Sequence, residues 1–148
     1  MDPYETQPHD ARMHDEPSVE LDLPARAESV TVVRQALSGL GEADGWSLAF
    51  LTDAKIAVSE ACSNVVIHAY PDGQEGTLAV RMTIDGRRLI VVVRDSGVGM
   101  APRIQDRSAG LGLGLPLIAA LTTEVQLRST ADGYTEVTMV LTVPDDET

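Results

Sequence analysis

Apolar and polar positions alternate, cluster and break along this chain in a way that lays out its elements. Val19, Leu21 and Leu23 alternate with Glu20 and Asp22, the two-residue period of a half-buried edge strand. Over residues 27–40 the apolar spacing becomes helical through Val30, Val33 and Leu37, and Gly39 and Gly41 mark an expected stop. The same periodicity predicts a second helix over residues 47–68, broken by Tyr70-Pro71-Asp72-Gly73. Residues 89–94 are β-branched and short, and together with residues 78–84 they predict two strands joined at the tight turn Asp85-Gly86. A third helical stretch, 117–121, follows a polar segment and a glycine run. Residues 124–129 and 135–143 then predict a closing hairpin about Asp132-Gly133. The expected fold class is α/β: a two-layer sandwich with helices on one face of a mixed, mostly antiparallel sheet. There are no internal repeats.

Composition narrows this picture. At 148 residues the chain is long enough for one domain with a sizeable core. Hydrophobic residues make up 43% but aromatics only 3%, so Val, Leu, Ile and Ala must build that core. Residues 1–20 hold six acids against one arginine, with Pro3, Pro8 and Pro17 among them. We therefore expect a disordered acidic tail over residues 1–17, a folded domain over 18–143 and a short acidic tail over 144–148. The acidic, polar start is unlike a signal peptide, and no apolar run reaches the roughly 18 residues of a membrane helix. The single cysteine, Cys62, excludes an internal disulfide, fits a reducing cytoplasm and reads as core filler. His9 and His14 fall in the expected tail, so a histidine metal cluster has no support, and His68 is placed to tie down the end of the second helix. A net charge of −12 argues against nucleic-acid phosphates as a partner and suits a protein with a basic surface.

Three pieces carry candidate chemistry. Glu60 and Asn64 are four residues apart, hence one turn apart on one helix face. An amide oxygen such as that of Asn64 can ligate a magnesium ion that keeps its waters and bridges phosphates. A carboxylate one turn earlier can orient water or take a proton from an attacking hydroxyl. The same two residues would also serve as an ordinary solvated helix face. Asp95 ends the strand-like run 89–94 and opens Asp95-Ser96-Gly97-Val98-Gly99. A carboxylate there can accept a hydrogen bond from the exocyclic amine of adenine, and the glycines permit close backbone approach; an ordinary turn has the same composition. The run Gly110-Leu111-Gly112-Leu113-Gly114-Leu115-Pro116 leads into the third helix, with Pro116 expected in its first turn. Backbone N–H groups at such a helix start suit a phosphate, and a flexible hinge is the other reading. The run lacks the lysine of a Walker loop, and it follows a polar stretch where a dinucleotide fingerprint would follow a strand.

Taken together, SEACSNVVIHAY, DSGVGM and GLGLGLPLI resemble the N box and the two glycine boxes of the GHKL ATPase superfamily, shared by gyrase, Hsp90, histidine kinases and MutL. The first string is particularly similar to the free-standing branch of anti-sigma factors that are also serine-protein kinases, and the resemblance spans roughly residues 18–143. It implies ATP and Mg2+ as cofactors. Asn64 would be the magnesium ligand and Glu60 the general base. Asp95 would read adenine, Gly97 and Gly99 would line the base pocket, and Gly110, Gly112 and Gly114 would lie on the phosphate side. Thr135 resembles the threonine that supports the adenine pocket from a late strand, although Tyr134 stands where a glycine often precedes it. Arg107, in the expected lid, matches a lid arginine that contacts the γ-phosphate; a solvated loop arginine is the plainer reading.

The length argues against a complete sensor histidine kinase or a transducer-bearing ATPase. We therefore expect an ATP-binding anti-sigma factor with serine/threonine-protein kinase activity. It would sequester a sigma factor and phosphorylate an anti-sigma antagonist in the cytoplasm, with no direct nucleic-acid or membrane partner and with a homodimer left open. A non-catalytic, ATP-dependent protein-binding regulator and a detached histidine-kinase-like ATPase domain are the alternatives.

Overall fold

A computed structural model describes residues 16–70, 75–95, 111–131 and 133–145, and for residues 111–114 the backbone alone. In chain order the elements are β1 (Ser18–Pro24), α1 (Ala27–Asp44), α2 (Leu48–His68), β2 (Thr77–Asp85), β3 (Arg88–Asp95), α3 (Leu111–Leu121), β4 (Glu124–Ser129) and β5 (Thr135–Thr142). The strands form one sheet in the order β1-β2-β3-β5-β4. The expected two-layer α/β sandwich is what forms. The sheet, expected to be mixed, has only antiparallel pairings among the described strands.

The two-residue period decides which face is covered. Register aligns Leu23, Leu78, Asp95, Thr135 and Ser129 in one row across the sheet, and Leu21, Val80, Val93, Val137 and Leu127 in the next. These rows face the helices and supply the sheet's share of the core, together with Met82, Val91, Met139 and Leu141. The alternate residues form the other face. There Glu20 opposes Arg81 at 3.9 Å and Arg94 opposes Glu136 at 3.7 Å, the cross-strand pairing expected of an uncovered face. The β2–β3 turn comprises Gly86 and Arg87, one residue later than Asp85-Gly86, with Gly86 at φ 62 supplying the left-handed position a two-residue hairpin needs.

Two helices depart from expectation. Neither Gly39 nor Gly41 stops α1, which runs on to Asp44 and ends at Gly45 in the left-handed region at φ 77. The reason is packing. A Cβ on Gly41 would lie 2.5 Å from the Trp46 ring, so the absent side chain seats the indole against the helix. Trp46 in turn meets Phe50 edge-on, with ring centroids 5.1 Å apart. The third helix starts at Leu111, six residues earlier than expected, so part of the glycine run and Pro116 lie inside it. Ile118, fully buried, with Leu115 and Leu121 packed against the core, anchors this helix along α2. Pro116 has no N–H to return to the carbonyl one turn earlier, a cost this packing offsets.

Candidate nucleotide site

Ser47 caps α2: its hydroxyl accepts the Phe50 N–H at 3.1 Å, fixing where the helix begins. From there α2 buries Ala54, Ala57, Val58, Ala61, Cys62 and Val65 against sheet and neighbouring helices. Asn64 is drawn into this buried stripe, 9% exposed, while Glu60, one turn earlier, is half-buried. A polar amide held in an apolar layer needs a polar partner. Cys62, between them, points into the core, where burial pushes its thiol up to about 12, so it is packing material.

At its far end α2 is fastened by Tyr70, two residues beyond the expected His68. The Tyr70 hydroxyl donates to the Thr77 carbonyl at 2.6 Å and accepts the Thr77 N–H at 3.0 Å. Gly76 lets the ring pass, because a Cβ there would collide with it. This clamp ties the helix of Asn64 to the first residue of β2, next to Leu78, which pairs with Asp95.

Asp95 closes β3 and is 2% exposed; its partner across the β3–β5 ladder is Thr135, also 2% exposed. Both side chains point to the helix-covered face, the face against which α2 packs. The Thr135 hydroxyl is buried with no hydrogen-bond partner among the described residues. A buried carboxylate beside an orphaned hydroxyl is the donor–acceptor set that adenine would satisfy, and so the residues fit that group. Tyr134, where a glycine was the commoner expectation, projects to the opposite face. Its ring lies under the Arg94 guanidinium at 4.0 Å, bracing the strand pair from outside.

Gly112 and Gly114, two of the glycines expected on the phosphate side, fall at the start of α3, where N–H groups lack intrahelical partners. Gly97, Gly99, Arg107 and Gly110 lie outside the described residues. Among the described residues no group of three His, Cys, Asp or Glu side chains could hold a metal ion. A magnesium ion here would rest on the Asn64 amide oxygen together with water and substrate phosphates, the donor set that ion accepts.

Sequence reasoning passed over Arg34, Lys55 and Ser59, which line a groove with Glu60. Lys55 and Ser59 share the four-residue spacing that singled out Glu60 and Asn64, but the contribution from α1 leaves no mark in a local pattern.

Residues 23–141 match the family described as Histidine kinase-like ATPase domain. Serine-protein kinase RsbW of Bacillus pumilus is 36% identical over 126 residues, covering 75% of this chain and 78% of that one. The protein of the same name from Halalkalibacterium halodurans is 35% identical, covering 79% of each. That from Bacillus subtilis is 34% identical, covering 75% and 78%. Among solved structures, the RsbU and RsbW domains of a Mycobacterium tuberculosis protein align over 86% of this chain with a TM-score of 0.68. Sequence identity there is 22% and this chain spans 32% of that polypeptide, so this likeness speaks for the fold.

Proposed function

The chain belongs to the histidine kinase-like ATPase family, and from that membership we propose that it is an ATP-dependent serine/threonine-protein kinase that doubles as an anti-sigma factor. In this reading it sequesters a sigma factor and phosphorylates an anti-sigma antagonist, in the cytoplasm, through one ATP-binding domain over residues 18–143 flanked by acidic tails. The observation that carries it is the pairing of half-buried Glu60 with buried Asn64 on a helix facing the Asp95–Thr135 pair.

Each residue has a task. Asp95 accepts from the adenine amine and Thr135 supports it with its hydroxyl. Gly97 and Gly99 leave room for the base. Gly110, and Gly112 and Gly114 at the start of α3, present backbone N–H groups to the phosphates. Arg107 answers the charge of the γ-phosphate. Asn64 holds Mg2+, which when bound neutralises charge on the phosphoryl group being transferred. Glu60 takes the proton from the acceptor hydroxyl as that oxygen attacks, which requires a carboxylate near enough to solvent to be reached by another protein.

Replacing Glu60 by Gln tests the assignment, because it keeps size and hydrogen bonding but removes basicity. With labelled ATP and the antagonist recovered by pull-down, transfer should fall by at least about a hundredfold, the usual scale of a general base. Binding of Mg-ATP, followed by calorimetry, should persist. Transfer at the wild-type rate would remove Glu60 from the mechanism, and no transfer by the wild type would leave a pure binding module.

A further inference from the structure

Beside Glu60 the surface opens into a groove of about 420 Å3, lined by Arg34 from α1 and by Thr52, Lys55, Ile56 and Ser59 from α2. The residues from α2 recur at intervals of three and four, which aligns them along one side of the helix and ends the row at Glu60. The space admits a short run of side chains rather than a single ion.

Its charge is out of keeping with the molecule. In a chain of net charge −12, most described cations are paired: Arg26 with Glu75, Arg81 with Glu20, Arg87 with Asp145, Arg88 with Asp85 and Arg94 with Glu136. Arg34, Lys55 and Arg128 have no ion pair among the described residues, and two of these three line this one groove. The Ser59 hydroxyl oxygen is buried in the groove's wall without a hydrogen-bond partner among those residues, and Ile56 is left 40% exposed. Two unanswered cations and an apolar side chain, against the single carboxylate of Glu60, leave the channel with a net positive lining, the complement of a segment that this chain does not itself supply.

We infer that this groove docks an acidic segment of the phosphoacceptor protein, and that Arg34 and Lys55 select acceptors with a carboxylate close to the hydroxyl that is phosphorylated. The inference rests on the kinase reading of Glu60. Because the chain as a whole carries a net charge of −12, a local positive strip fixes orientation as well as affinity. Lys55 precedes Glu60 by five residues, about 7.5 Å along the helix axis. An extended segment rises about 3.3 Å per residue, so a chain lying in the groove carries its acidic residue about two positions from the acceptor serine or threonine.

Short fluorescent serine peptides test this, with Asp, Ala or Lys two positions from the serine. Anisotropy is read on the full-length protein with a non-hydrolysable ATP analogue, and transfer is read separately with labelled ATP. The Asp peptide should bind about tenfold tighter than the Ala peptide, an advantage lost with added salt. Lys55→Glu and Arg34→Glu should each erase most of that advantage. Lys55→Gln, which keeps the stem and loses the charge, should do so without reversing the patch. Arg128→Glu makes the same charge change on β4 and should leave the preference intact. Equal binding of the Asp and Ala peptides by the wild type, or an equal loss in Arg128→Glu, overturns the inference. The two readings fail separately. Binding with the expected preference but no transfer sustains the groove and counts against the kinase assignment. Transfer without charge preference overturns the groove and leaves Glu60 as base.

Discussion

Asp95 and Thr135 sit forty residues apart in sequence yet directly opposite one another on β3 and β5, both sealed from solvent. Their chemistry separates binding from stability. Asp95→Asn puts a donor where adenine offers one, so ATP affinity should fall by about 1.5–3 kcal/mol in calorimetry, the scale of a hydrogen bond to a charged group. GTP should bind the wild type poorly, since guanine presents an acceptor there; equal affinities would remove Asp95 as the base reader. Thr135→Val is the sharper experiment. It exchanges an unpartnered buried hydroxyl for a methyl group, so the melting temperature should hold or rise while ATP affinity drops by about 0.5–1.5 kcal/mol. A fall in both would make Thr135 a structural residue. Asp95 could be picked out by eye because it ends a β-branched run. Thr135 could not, because a threonine in a strand looks like any other, and only the family resemblance singled it out.

At the level of elements, the boundaries misread from sequence are those where tertiary packing outweighs local propensity. Glycines are poor helix formers, and two of them near the end of α1 read as a stop. Whether each is a defect or a fitting depends on what lies above it. A Cβ on Gly39 would have nothing within 4 Å, whereas one on Gly41 would meet the Trp46 ring. Gly39→Ala should therefore stabilise the protein by about 0.5–1 kcal/mol, and Gly41→Ala should destabilise it by about 1–3 kcal/mol through overpacking. Thermal denaturation of the two variants should move in opposite directions; a rise in both would show that the indole yields freely. The start of α3 was hidden for the same reason. Glycines and a proline signalled a loop, and the burial of Ile118 that makes the segment helical belongs to a contact with α2 rather than to the segment itself. By contrast β2, β3, β4 and β5 were legible to within two residues, since alternation and turn residues such as Gly86 and Gly133 are local signals.

For the molecule as a whole, the covered face of the sheet could be read from the period of the strands, but the strand order could not. Hairpin neighbours β2–β3 and β4–β5 announce themselves by short turns; the pairing of β3 with β5 leaves no trace in any local window. That same junction has a consequence for how the protein comes into being. Joining β3 to β5 closes a loop of thirty-nine residues between Asp95 and Thr135, against two residues for the β2–β3 turn, an entropic difference of about 2–3 kcal/mol. Non-local closure of this kind is the slow part of folding. Pulse-labelled hydrogen exchange during refolding should protect β2–β3 amides before those of β5, and simultaneous protection would show a single concerted event. A chain still leaving the ribosome would thus carry Asn64, Glu60 and Asp95 already in place but no floor for the base. On the proposed reading, binding competence would arrive with the final strand, so that a truncated product would be silent rather than half-active, and ATP would act as a latch on the last step of assembly.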